Sequence, residues 1–345
     1  MADKVRIGII GAGGIFRNRH FPGLAKIDDA EVVAICNRSV ESGEKVINEQ
    51  GLSADAMSDP AALLGRDDID AVMIGTWPYK HCEFVLASLD AGKHTFVQAR
   101  MAMNLREAKM MYARGQESGL VTQICPAPPW KGGRFLRRLV DEGYLGEIFH
   151  VYVRDLGGRY WDANAPLHWR QINRYSGLNI LGMGITVERV ARVFGFMSSV
   201  TAETEIFTKV RPLEDGDGTG LVETPDMVHV MDKMENGARA AFLFSGAAQF
   251  GGASALEAYG RDGTLVYVMG SKIMGAKTGD DELKEIPIPE DEATEWTVEA
   301  DFVNAIQGGP QGDTSFYEGV KYMEFTEAVH RSVERGGSVQ LPLVE

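Results

Sequence analysis

"VRIGIIGAGGIF" occupies residues 5–16. Its Val- and Ile-rich start reads as a buried strand, and a Gly-x-Gly turn follows at once. Gly11 permits the tight turn, and Gly13 lets the backbone approach a pyrophosphate held at the N-terminus of the next helix. Gly14 and Ile15 complete that loop. The third position of such a fingerprint is usually Gly or Ala, and Phe16 departs from it. Either the following helix stands further from the sheet, or Gly14 supplies the close approach instead.

The same rhythm continues outward. "EVVAICN", "DAVMIGT", "KHTFVQA" and "VTQIC" are short apolar runs separated by amphipathic stretches such as "CEFVLASLDAGK" and "REAKMMYARGQESG". Alternation of this kind predicts an α/β fold, a doubly wound parallel sheet of the Rossmann type. Gly92 and Gly119 fall where helices need a left-handed C-terminal residue. At the second strand's end, "AICNRS" has no acidic residue to hold an adenosine ribose. Asn37, Arg38 and Ser39 offer a cation and polar donors to a 2′-phosphate, which favours NADP over NAD; an Arg38 lying flat over the adenine leaves NAD open.

The pattern breaks at "CPAPPW", Cys125–Trp130, and the domain boundary is placed there: 1–125 as a nucleotide-binding domain, 126–345 as a second, α+β domain. A helix, "KGGRFLRRLVDEGYLG", precedes β-like runs from "EIFHVYVRDL" to "TLVYVM". Turn signals at "MENGAR" and "GRDGTL" predict a mainly antiparallel sheet. One long helix, "NILGMGITVERVARVFGF", interrupts the strands, and two more, near 296–309 and 316–337, close the chain.

With 345 residues, 44% hydrophobic and 24% charged, the chain is long enough for two globular domains. A net charge of −14 argues against a nucleic acid or an anionic membrane as partner and points to a small molecule. The apolar run at the N-terminus is too short for a signal peptide or membrane span, so a cytoplasmic protein is expected. Cys36, Cys82 and Cys125 lack C-x-x-C spacing and read as core thiols; the seven histidines form no ligand pair, and no metal site is expected.

Several segments together resemble the Gfo/Idh/MocA oxidoreductases, the relatives of glucose-fructose oxidoreductase and inositol dehydrogenase. They are "GIIGAGGI", "NRS", "GTWPYKH", "AGKHTFVQARMAMNLREA", "HWRQINRYSGLNILGMGI" and "FVNAIQGG". The resemblance implies NAD(P), a sugar or cyclic polyol substrate, a large open sheet in the second domain, and homodimers or homotetramers formed through that sheet. It places Thr76, Trp77, His81 and Gln98 on the cofactor side, and gives Trp169 and Arg170 the positioning of the cofactor or of a domain interface.

The same resemblance exposes a divergence. The family's Glu-Lys-Pro triplet reads Gln98-Ala99-Arg100 here, and its helical Asp and His fall on Gly182 and Thr186. Arg100 stays protonated at any working pH, so it is read as an electrostatic clamp for a carbonyl or carboxylate rather than a base. Thr186 can donate a hydrogen bond without titrating. For proton transfer the loop "RYWDANAPLHWRQINRYSG" offers His168 first, because its ordinary pKa lies near neutrality, and Tyr160 second. Glu188 is expected in an exposed ion pair, and "GDDELKEIPIPEDEATE" as a solvated loop. The expected function is an NAD(P)-dependent oxidoreductase acting on a sugar-like or cyclic polyol substrate of acidic character. The alternatives are a redox-neutral lyase or hydrolase with retained cofactor, and a non-catalytic NAD(P)- or sugar-binding regulator.

Overall fold

Strands covered by helices on both faces must be apolar throughout, and those of the first sheet are. They are β1 (Val5–Ile10), β2 (Ala30–Cys36), β3 (Asp55–Met57), β4 (Ala71–Ile74), β5 (His94–Val97) and β6 (Thr122–Ile124). All neighbours are parallel, in the order β3-β2-β1-β4-β5-β6. Three-residue β3 carries too little apolar signal to be read from sequence. The order reverses between β1 and β4, which opens a crevice at their C-terminal ends. The structure, a computed structural model, describes residues 4–125, 131–293, 296–312 and 314–344. Apart from Cys125, the segment taken as the domain boundary lies outside the described residues.

The helix ends carry local caps, the expected glycines among them. Ser39 caps the helix Val40–Gln50, with its Oγ accepting from the Ser42 N–H at 3.3 Å, and Asn104 caps Leu105–Ser118. Gly92 and Gly119 take φ of 73° and 65°. Phe16 is wholly buried in a wide turn, Phe16–His20, that leads into the helix Phe21–Leu24. The reading in which Gly14 supplies the close approach does not hold. A Cβ on Gly13 or Gly14 would meet nothing within 4 Å, whereas one on Gly75 would run into the Phe16 ring. The close approach comes from a glycine at the end of the neighbouring strand, β4.

Two units emerge, Met1–Pro126 with Trp296–Lys321, and Ala127–Glu295 with Tyr322–Glu345. This corrects the contiguous division at residue 125. The helix Val298–Ile306 buries Val298, Phe302 and Val303 in the same core as Val5, Ile9, Phe16 and Phe96. Those side chains would otherwise stay in water, at about 1.5–3 kcal/mol each.

The second unit contains β7 (Ile148–Leu156), β8 (Ser199–Glu205), β11 (Met227–Lys233), β12 (Arg239–Ser245), β13 (Ala255–Gly260), β14 (Gly263–Val268), β15 (Lys272–Lys277), β16 (Lys284–Ile286) and β17 (Val339–Gln340), with β9 (Val210–Pro212) and β10 (Thr219–Leu221) as a separate hairpin. The nine-stranded sheet runs β16-β15-β14-β13-β7-β12-β11-β8-β17 and is antiparallel except for β7 beside β12. The acidic stretch expected as a loop supplies β16. Period-2 alternation puts Val151, Val153, Phe242, Phe244 and Leu256 on one face, against Met183, Val187 and Val190 of the helix Met183–Phe194. Gly184 lets that helix sit close to Tyr322, whose ring would stand 2.9 Å from an added Cβ. Glu188 is 3% exposed and pairs with Arg192, so the expected surface ion pair is a buried one.

The Phe16–Gly75 contact makes a prediction. Gly75→Ala should lower the unfolding free energy by about 1–3 kcal/mol through overpacking. Phe16→Leu in the same chain should recover part of that loss in urea denaturation. A Gly75→Ala protein as stable as wild type would remove this account of the loop.

Candidate functional site

In the first unit the glycine loop is braced from below. The Ala12 N–H donates to Asn37 Oδ1 at 2.9 Å, and Asn37 Nδ2 donates to the Ser42 carbonyl at 3.2 Å. Gly11, at φ 87°, brings the loop against Thr76, whose methyl would lie 2.8 Å from an added Cβ. Above this brace Gly13 and Gly14 face open space, Ile15 and Trp77 are exposed, and Thr76 Oγ1 is buried without a hydrogen-bond partner among the described residues. Open backbone at a helix N-terminus, with an orphaned hydroxyl beside it, fits a pyrophosphate. NAD(P) would be held by Gly11, Gly13, Gly14 and Ile15 and would supply a nicotinamide carbon that exchanges hydride.

Of the three residues expected to read the adenosine end, Asn37 and Ser39 have other work, the loop brace and the helix cap. Arg38 is exposed and makes no hydrogen bond or ion pair with the described residues. Two more expected cofactor residues are likewise structural. Gln98 is 8% exposed, and its Nε2 meets the His20 Nε2, pointing into the core. His81 is 1% exposed; its Nδ1 faces the carbonyls of Arg100 at 2.9 Å and Met101 at 3.1 Å, and its Nε2 that of Thr76 at 2.9 Å. The ring ties the loop after β4 to the loop after β5 and so positions Thr76 and Arg100. Burial pushes its pKa down, against the pull of the three carbonyls. Arg100 is half-buried directly after Ala99. The thiols of Cys36 and Cys82 are pushed up to about 11 by burial, and that of Cys125 is raised for the same reason, so these are not nucleophiles at neutral pH.

In the second unit the loop segment 158–176 carries the expected proton carriers, and its geometry changes their roles. His168 caps the turn Trp169–Gln171: its Nδ1 accepts from the Arg170 N–H at 3.2 Å, and its ring stacks on Trp169 at 5.6 Å. Burial, with Arg170 and Arg159 nearby, lowers its pKa to about 4. The expectation of a near-neutral general base is therefore corrected; His168 is a neutral imidazole that can donate from Nε2. Arg170 lies over the Trp169 ring at 4.3 Å, and burial lowers its pKa. Tyr160 is 7% exposed, packed against the α-carbon of Gly246.

Thr186 is buried, with Oγ1 donating to Asp155 Oδ2 at a long 3.5 Å. Two residues here escaped the sequence reading. Arg211 of β9, 1% exposed, donates to the carbonyls of Tyr160 at 2.5 Å, Asp162 at 2.6 Å and Ala165 at 3.3 Å, and so shapes the loop. Nothing local in "KVRPLE" marks it. Asp155 was legible: in "HVYVRDL" it shares the inward face of Val151 and Val153.

His81 links stability to pH. Its folded pKa is depressed, so the contribution of the neutral ring is present above the unfolded value of about 6.5 and is lost as pH falls below it. The melting-temperature gap between wild type and His81→Gln should narrow on acidification below that pH. A gap independent of pH would refute the linkage.

Comparison with known proteins accords with both halves. Residues 5–124 match the model of the oxidoreductase family with NAD-binding Rossmann fold, and residues 134–266 match the GFO/IDH/MocA C-terminal domain. An inositol 2-dehydrogenase of Azotobacter vinelandii is 28% identical over 163 residues, 47% of this chain and 48% of that protein. The chain spans about half the length of such curated relatives, or less. The 1,5-anhydro-D-fructose reductase of Ensifer adhaerens is 26% identical across 97% of this chain and 98% of its own. Among solved structures, levoglucosan dehydrogenase in complex with NADH and L-sorbose shares the fold at a TM-score of 0.86 and 22% identity, covering 98% of this chain and 99% of that one. With a family model on each of its two halves, the chain belongs to the Gfo/Idh/MocA oxidoreductase family.

Proposed function

We propose that this protein is an NAD(P)-dependent oxidoreductase that exchanges hydride with a sugar-like or cyclic polyol substrate carrying an acidic group. The observation that carries the reading is the braced glycine loop, open above Gly13 and Gly14 at a helix N-terminus. The names of the relatives point to the substrate class: inositol 2-dehydrogenase, 1,5-anhydro-D-fructose reductase and levoglucosan dehydrogenase. Within the first unit Arg100 is the candidate clamp for a carboxylate or carbonyl; within the second, His168 and Thr186 are the candidate hydrogen-bond donors and Tyr160, Trp169 and Arg170 the rim of their own loop segment. Exposed Arg38 reads a 2′-phosphate, which favours NADP. A second reading, redox-neutral chemistry with a retained cofactor, draws on the environment of His168: burial and the nearby Arg170 and Arg159 lower its pKa to about 4, which makes it a weak base at pH 7.

The open face of the nine-stranded sheet exposes Tyr152, Met231 and Leu243, which fits pairing with a second copy of the chain. Met231→Glu should then shift the sedimentation coefficient towards the monomer. An unchanged oligomer would remove this face as the contact.

Purified protein with NAD(P)+ and myo-inositol, levoglucosan or a uronate, or with NADPH and 1,5-anhydro-D-fructose, should change the nicotinamide absorbance. Substrate consumption without a hydride balance would favour the redox-neutral reading, and no turnover of any compound would end both. Arg38→Leu should weaken NADP binding about 10- to 100-fold, the worth of one charge-assisted contact, and leave NAD nearly unaffected. Equal losses for the two nucleotides would withdraw the NADP assignment.

A further inference from the structure

Asp155 stands near the end of β7 on the covered face of the sheet, in line with Val151 and Val153, which are 0% and 1% exposed. A carboxylate on such a face is costly unless its oxygens find donors. One does: Ser254 Oγ donates to Oδ1 at 2.7 Å and sets the rotamer. The other, among the described residues, is served by Thr186 Oγ1 alone, at the 3.5 Å limit. The helix Met183–Phe194 starts directly over this oxygen, and Gly182 keeps the space clear. A Cβ there would stand 3.3 Å from Asp155 Oδ2 and 3.8 Å from Thr186 Oγ1. Arg189, about two turns further on, is near enough for its charge to interact with that of Asp155. An ionised carboxylate has about four acceptor positions, and here one is well filled and one weakly.

We propose that Asp155 is the carboxylate that binds a hydroxyl group of the substrate, doing from strand β7 what the helix cannot do from Gly182. The proposal rests on the reading of the protein as an enzyme of hydroxylated, sugar-like substrates, and concerns the second unit alone. A substrate O–H donating to Oδ2 replaces a stretched bond with a charge-assisted one of about 2.6 Å. Ser254 holds Oδ1, so Oδ2 is already aimed. Gly182 is the small residue that keeps it reachable.

A purely structural Asp155 would behave differently in Asp155→Asn. The amide keeps the shape and can still present an oxygen to Ser254, but its other atom becomes a donor and cannot accept from a hydroxyl. The test is calorimetric binding of the polyol, uronate and keto-sugar panel to the full chain in the presence of NADP, repeated for the best ligand with its single-deoxy analogues. Asp155→Asn should weaken the parent ligand about 10- to 100-fold while changing NADP affinity less than about 2-fold. For the one deoxy analogue that lacks the bound hydroxyl, wild type and variant should bind alike. Gly182→Ala, which leaves the Ser254 contact intact, should show the same hydroxyl-specific loss and serves if Asp155→Asn does not fold. A loss equal for the parent and every analogue, no loss, or no panel member binding wild type would each overturn the proposal. Binding that passes this test without nicotinamide reduction or oxidation would retain Asp155 and reject the oxidoreductase reading.

Discussion

A buried hydrogen bond in the first unit, between His20 and Glu299, governs where the other parts of that unit lie. Both side chains are essentially inaccessible, at 0% and 1% exposure. Trp296 Nε1 donates to both Glu299 oxygens at 2.9 Å, and Gln98 meets the second ring nitrogen of His20. With the Gln98 amide donating, His20 Nε2 accepts, and the ring proton lies on Nδ1, towards the carboxylate. Removing one partner of such a buried hydrogen bond costs about 1–3 kcal/mol, because the other is left buried and unsatisfied. That penalty commits the segment from Trp296 to the first unit, although the sequence separates Glu299 from His20 by most of the chain. Gly23 belongs to the same constraint, since a Cβ there would collide with the Glu299 carboxylate.

The pair also determines how the stretch after β5 is presented. Gln98 is drawn inward to His20, and His81 holds the carbonyls of Arg100 and Met101. Several residues expected to touch ligand therefore shape the loops that do. Asn37, Ser39, Gln98 and His81 share this outcome. A polar side chain beside a motif has the same chemistry whether it faces a ligand or a backbone carbonyl. What separates the two roles is the identity of the partner, and the partner of Gln98 lies 78 residues away.

In the second unit polar groups gather at the start of the helix Met183–Phe194. Gly182 and Thr186 sit over Asp155, and Arg211 holds the loop of Tyr160 by three carbonyl contacts from beneath. Depressed pKa values at His168 and Arg170 follow from burial and from the neighbouring cations. The loop is thereby built from neutral donors and fixed guanidinium groups rather than from a group that titrates near neutrality.

Local physics decided much of this protein in its sequence. Apolar runs of strand length separated by helical periods dictate the doubly wound sheet, Gly11 and Gly13 dictate the turn, and Ser39, Gly92 and Gly119 mark helix ends. Each is an interaction within a few residues, so neighbouring letters suffice. The tertiary structure alone decided that Gly75 makes room for Phe16, that residues 296–321 return to the first unit, and that Asp155 lies under Gly182. Those outcomes depend on which distant surfaces exclude water together. Periodicity gives each element a buried face, but the residue that meets it is chosen by packing across the whole fold.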